Sequence, residues 1–155
     1  MLFRSAALER SWRYGTRAIR SHIDSVGAGA EASWQALIEQ RQRWRGWVEL
    51  QLVALAPVVH WLRPEGEALA RQVADAGGVL GGVVGPPYAV GAMAEREAFA
   101  ALLALAERLG CGIDLHVDEA DRHPGKGVAL ITQVALQQRR GVPITCSHEI
   151  GRAHV

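Results

Sequence analysis

The stretch Gly112-Ile113-Asp114-Leu115-His116-Val117-Asp118-Glu119 decides the fold. Side chains alternate across a β-strand, so Ile113, Leu115 and Val117 share one face while Asp114, His116 and Asp118 share the other. A barrel wall accounts for this pattern. One face packs under helices, the other points inward, and polar groups collect near the C-terminal mouth, where barrel enzymes carry their catalysis. The same division recurs upstream. In residues 18–24, Ile19 and Ile23 oppose Arg20, His22 and Asp24; in residues 48–55, Leu50, Leu52 and Ala54 oppose Glu49, Gln51 and Val53.

Working outward, β-branched apolar runs at 18–24, 48–55, 78–84, 112–117 and 142–147 predict strands. Helical periodicity predicts helices over 32–45, 64–76, 92–109 and 124–140, with a first one within 6–14. Pro64 stands near the start of the second of these, and Gly46, Gly77, Gly110 and Gly141 mark the ends. Strand starts recur about every 30 residues, the length of a βαβ unit. The chain therefore reads as α/β with a parallel sheet, either an open doubly wound sheet or part of a (β/α)8 barrel. A dinucleotide fold should carry Gly-x-Gly-x-x-Gly after its first strand. Ser25-Val26-Gly27-Ala28-Gly29 lacks the third glycine, and the glycines of 77–82 precede or enter a strand, so they form no phosphate loop.

The 155 residues allow one ordinary domain, and 49% hydrophobic against 21% charged residues allows it a packed core. A net charge of +1 offers no electrostatic case for nucleic acid or an anionic membrane. No apolar run approaches the ~18–20 residues of a membrane span. Cys111 and Cys146, far apart in apolar segments, favour a reducing cytoplasm over a disulfide scaffold. Arg4, Arg10, Arg13, Arg17 and Arg20 give the N-terminus a superficial likeness to a transit peptide. A surface helix is the better reading, because no cleavage site is visible and a strand follows at once. The five tryptophans, Trp12, Trp34, Trp44, Trp47 and Trp61, read as core or helix-packing residues; His60, His123 and His154 read as surface residues.

His116 and Glu119 lie three apart at a strand end. Imidazole binds divalent metals, and a nearby carboxylate can move a proton to or from a bound water. From spacing alone His116 is either a hydrogen-bonded structural residue or such a ligand. Asp114 and Asp118 fall on the inner face with His116 by alternation, and the plainer alternative is that they flank a loop. His148 closes the last strand, in parity with Ile144 and Cys146. Ser147-His148 makes no nucleophile–base pair, since adjacent strand residues face opposite ways.

Four stretches resemble the cytosine deaminase group of the amidohydrolase superfamily, in order and at similar separations. They are Arg20-Ser21-His22-Ile23-Asp24, Leu50-Gln51-Leu52-Val53-Ala54, Asp114-Leu115-His116-Val117-Asp118-Glu119, and Ile144-Thr145-Cys146-Ser147-His148. The resemblance implies a partial (β/α)8 TIM barrel, about strands two to six, that forms an incomplete amidohydrolase domain over residues 6–148. It implies hydrolysis of a non-peptide C–N bond, such as deamination of cytosine or a related cyclic amine or amide, with one divalent metal ion, iron or zinc. By resemblance His116 is a metal ligand, Glu119 the proton shuttle and His148 the histidine that orients the attacking water; Gln51 and His22 are candidate substrate contacts. Members that act on cytosine carry a glutamine where Pro57 stands, which widens the implied substrate beyond cytosine. The group's His-x-His on strand one and aspartate on strand eight have no counterpart in the four stretches. The expected partner is a small cyclic amine or amide, without nucleic acid or membrane, and a homo-oligomer of the complete protein is allowed. The contrasting reading is a non-catalytic (βα) binding or structural protein that retains the fold; a third is a small open-sheet protein with a phosphate or nucleotide ligand.

Both ends carry a separate expectation. Residues 149–155, Glu-Ile-Gly-Arg-Ala-His-Val, read as a translation of a common sequencing-adapter string, and residues 1–5, Met-Leu-Phe-Arg-Ser, as a translation of its reverse complement. Both are expected to lie outside the domain.

Overall fold

A computed structural model describes residues 2–84, 92–119 and 125–147. Among them, five strands alternate with helices: α1 Leu2–Arg13, β1 Ala18–Asp24, α2 Ala30–Arg43, β2 Glu49–Leu55, α3 Pro64–Asp75, β3 Val79–Val84, α4 Ala92–Leu109, β4 Ile113–Val117, α5 Lys126–Gln138 and β5 Ile144–Ser147. All neighbouring pairs are parallel and the spatial order is β1-β2-β3-β4-β5. A doubly wound sheet reverses its strand order at a switch point; this sheet does not.

Curvature settles the choice between barrel and flat sheet. Three strand spacings separate β1 from β4, about 14 Å in a flat sheet. Yet Arg20 of β1 reaches Asp114 of β4 at 2.5 Å and Thr145 of β5 at 3.2 Å. The sheet must curl so that the inner faces of its first and last strands approach each other. The result is a curled half-barrel with helices between its strands, the architecture of a partial TIM barrel.

The outward faces make the core. Leu50, Leu52 and Ala54 of β2, Leu80 of β3, and Ile113, Leu115 and Val117 of β4 are buried against Trp34 and Leu37 of α2, Leu69, Ala70 and Val73 of α3, Phe99, Leu102 and Leu103 of α4, and Ile131 and Val134 of α5. This period-2 strand pattern meeting period-3.6 helix faces is what the sequence pattern demanded. On the inner side, Gly81 lets the wall close. A Cβ there would stand 2.4 Å from the Ala54 carbonyl oxygen, 2.7 Å from Val53 Cγ1 and 2.8 Å from the Asp114 carbonyl oxygen. The glycines of β3 thus serve strand packing, as the absence of a phosphate loop suggested.

Several boundaries differ from the sequence reading. The first helix begins at Leu2, earlier than the predicted 6–14. The last helix stops at Gln138, where Arg139 takes the left-handed cap conformation with φ +50°; the predicted stop, Gly141, lies two residues further on. Between β2 and α3 a 3₁₀ helix, Val58–Leu62, is too short to show periodicity. It buries Trp61, whose indole N–H donates to the Gly81 carbonyl at 3.2 Å. That helix also corrects His60, read as a surface residue: it is half-buried, its ring 6.0 Å from that of Trp61. Trp34 and Trp61 are core residues, whereas Trp47 is exposed and meets Trp12 edge-on at 5.2 Å, tying α1 to the turn before β2. His123, His148 and His154 lie outside the described residues, as do Met1 and 149–155.

Candidate active site

The inner face carries two polar layers. The lower one centres on Asp114, which is only 1% exposed. A carboxylate so buried is tolerated when it is paired. Arg20 supplies the charge, its Nη1 donating to Asp114 Oδ2 at 2.5 Å. Ser147 Oγ donates to Oδ1 at 3.2 Å. His22 Nε2 faces the same oxygen at 3.3 Å. The Arg20 guanidinium also donates to Gln51 Oε1 at 3.1 Å and Thr145 Oγ1 at 3.2 Å. Strands β1, β2, β4 and β5 are therefore cross-linked through one ion pair.

The upper layer sits one pleat nearer the strand ends. His22 pairs in register with Val53, and His116 with Ser147. The rings of His22 and His116 meet edge to face, centroids 4.4 Å apart at 89°. His116 Nδ1 lies 2.9 Å from Glu119 Oε1. Because that contact engages Nδ1, a ligand role for this imidazole would run through Nε2. Glu119 itself is half exposed, so its carboxylate reaches both the imidazole and solvent.

Just past β4, Asp118 is fully buried and holds φ +51°. Its carboxylate accepts the Gly127 N–H of α5 at 2.8 Å.

The candidate residues thus divide. His22, His116 and Glu119 come together at the strand ends. Gln51 lies in the lower layer, level with Arg20, where it also donates to Glu49 Oε1 at 3.3 Å. His148 lies outside the described residues, although its neighbour Ser147 reaches Asp114. Of the two readings of Asp114 and Asp118, the inner-face one describes the structure: Asp114 is the interior hub of the wall and Asp118, just past β4, a buried cap on α5. Strand alternation had placed both on the inner face, but nothing in the local sequence revealed their partners, which lie on β1, β5 and α5. Among the described residues no group of three or more His, Cys, Asp or Glu side chains is arranged to hold a metal ion.

With this geometry in place, known proteins give a consistent comparison. A pterin deaminase of Rhizobium rhizogenes strain K84 is 30% identical over 143 residues, covering 92% of this chain. The structure of 5-methylcytosine deaminase from Klebsiella pneumoniae, liganded with phosphonocytosine, matches 95% of the chain with a TM-score of 0.72 and 26% identity. That of N-isopropylammelide isopropylaminohydrolase from Burkholderia multivorans matches 92% with a TM-score of 0.71 and 31% identity. These relatives fit a cytosine-deaminase-like group of amidohydrolases, which the chain resembles over most of its own length. The chain spans 32%, 35% and 36% of the lengths of these three amidohydrolase-group relatives, about a third. No protein-family profile matches the sequence. Among the described residues, no helix of this amidohydrolase-like chain is long and apolar enough to cross a membrane.

Proposed function

We propose that the chain is part of a cytoplasmic, metal-dependent amidohydrolase that hydrolyses a non-peptide C–N bond in a cyclic amine or amide, with residues 6–148 as the domain segment. The observation that carries this reading is the His116–Glu119 contact of 2.9 Å at the C-terminal end of β4, the end of a barrel strand at which catalytic groups gather. The likeness to deaminases and an aminohydrolase supports it.

The donor set fits a metal only in part. His116 would be one ligand, and the remaining ligands would come from outside the described residues. One divalent cation, iron or zinc, would lower the pKa of water for attack on the ring carbon. Glu119 would accept one proton of the attacking water and pass it to the ring nitrogen, and would then carry the water's second proton, from the new hydroxyl on the ring carbon, to the leaving amine. His148 orients that water. His22, whose ring touches His116, and Gln51, deeper in the wall, are assigned to substrate contact. Pro57, which bridges to Val83 beside the end of β2, stands where a glutamine would read cytosine, so related cyclic amines and amides remain in the substrate set.

The test is turnover and metal content of the complete protein on a panel of cytosine, a pterin and an N-alkylated triazine. Glu119→Gln should abolish turnover and leave the metal bound; His116→Ala should lose both. Near-normal turnover by Glu119→Gln would remove the acid–base role. A complete protein that holds no metal and hydrolyses none of the panel would favour the non-catalytic reading. The 155-residue chain alone is expected to bind divalent metal weakly and to show no cytosine deamination, since a catalytic zinc typically needs about three protein ligands.

A further inference from the structure

We propose that Asp118 is a positioning residue for Glu119, an inference that rests on the proton-shuttle role assigned to Glu119 above. Along an extended strand, residues three apart point to opposite faces and stand about 10 Å apart. His116 and Glu119 break that rule, with Nδ1 and Oε1 2.9 Å from each other. The break falls at Asp118, the one residue between Val117 and Glu119, whose φ of +51° puts it in the left-handed region. Aspartate is among the few residues other than glycine that visit this region routinely.

Two elements, β3 and α5, hold the turn. The Asp118 N–H donates to the Val84 carbonyl at 3.0 Å, which carries the β3–β4 ladder one residue beyond β4. Its carboxylate accepts the Gly127 N–H at 2.8 Å, which pins the first turn of α5. Gly127 in turn must lack a side chain, because a Cβ would stand 2.5 Å from Val117 Cγ1 and 2.8 Å from Asp118 Oδ1. A backbone held in a sparsely populated region persists when its surroundings over-determine it, and such residues cluster at functional sites. Here its effect is to return Glu119 to the face that carries His116. The aspartate contributes twice: it tolerates the left-handed turn and it ties that turn to α5. Asparagine can do both, glycine only the first, and valine neither.

These differences make the test. In the complete protein, Asp118→Asn, Asp118→Gly and Asp118→Val are compared by kcat, KM, metal content and the ¹⁵N resonance of His116 Nδ1 in the metal-free state. Asparagine should hold kcat within about twofold, glycine should lose about tenfold and valine about a hundredfold, the last at the low end of what an acid–base group contributes. KM and metal content should stay unchanged, and the Nδ1 resonance should move in the glycine and valine variants as the Glu119 contact loosens. A purely structural cap would lower the melting temperature without moving that resonance or separating kcat from KM, and that result overturns the proposal. Should the valine variant fail to fold, glycine, which relaxes the turn, carries the test alone. Loss of turnover in Glu119→Gln combined with wild-type kcat in Asp118→Gly overturns this inference and leaves the shuttle role standing. Undiminished turnover in Glu119→Gln overturns the shuttle role itself.

Discussion

The two polar layers on the inner wall lie one pleat apart and are built on different terms. In the lower layer, Asp114 is buried, charged and held by Arg20, His22 and Ser147 from two other strands. Its contacts run across the barrel and oppose opening of the curled sheet. In the upper layer, His116 and Glu119 come from one strand and the turn after it, and their contact depends on a left-handed residue. Removing one partner of a buried ion pair leaves an uncompensated charge and costs stability. Loosening a strand-end pair whose carboxylate is half exposed should cost the fold less. The same alternation of polar side chains along β4 thus supports the fold at its N-terminal half and, at its C-terminal end, presents the His116–Glu119 pair for which we propose the acid–base role, the division of tasks that barrel folds generally show.

Substitutions can break this comparison or sharpen it. The largest effect is expected where the wall has no room for a side chain. In Gly81→Val any Cβ would stand 2.4 Å from the Ala54 carbonyl oxygen, and the close neighbours include backbone on both sides. Backbone cannot move aside as a flexible side chain can, so the cost should exceed the ~1–3 kcal/mol typical of overpacking, and this variant should show no cooperative thermal transition by circular dichroism. A normal melt would mean that the wall closes by other means.

Next comes the direct contrast between layers. Asp114→Ala should lower stability by about 2 kcal/mol, read from the urea midpoint, because the buried carboxylate that ties Arg20 of β1 to Ser147 of β5 is lost while the Arg20 left behind is partly exposed. His116→Ala should cost less than half of that, since its contact is with a half-exposed carboxylate. Equal losses would erase the distinction between the two layers as supports of the fold. A smaller effect is expected at the rim of the lower layer. Gln51→Ala removes an exposed contact to Arg20 and should shift the midpoint by about 0.5 kcal/mol, the low end for a net hydrogen bond. A loss comparable to Asp114→Ala would place Gln51 inside the hub.

The smallest effects are kinetic and electrostatic. Burial pushes the Cys111 thiol above its ordinary pKa, so at pH 8 it should alkylate more slowly than the half-buried Cys146, as peptide mass mapping would show. Labelling in the reverse order would mean that the core around Cys111 opens readily. On the outer surface, hydrogen bonding from Arg71, with the charge of Arg108, lowers the pKa of Glu67. A depressed carboxylate stabilises the fold above its unfolded pKa and loses that contribution as pH falls through the folded value. The contribution should therefore vanish under acid conditions, below the ordinary glutamate range. For so exposed a group it should be near the detection limit in a Glu67→Gln comparison of urea midpoints at pH 7 and pH 3.

Much of the architecture was written in local pattern. Strand and helix positions followed from apolar periodicity, because the alternation of Ile113, Leu115 and Val117 and the helical spacing of Phe99, Leu102 and Leu103 each satisfy one burial geometry. The parallel order followed from the spacing of units. The pairing of His116 with Glu119 was suggested by residue type and by resemblance, yet strict alternation put the two on opposite faces. Tertiary structure alone decided that they meet, because the turn at Asp118 depends on an α5 amide nine residues away and a β3 carbonyl more than thirty away. It alone decided that Asp114 is the hub, since its partners, Arg20 and Ser147, lie 94 and 33 residues distant. Local sequence specifies which face a side chain takes within its own element. Which charge waits on the opposite wall is set by how far the sheet curls, and that curvature is a property of all five strands packed together.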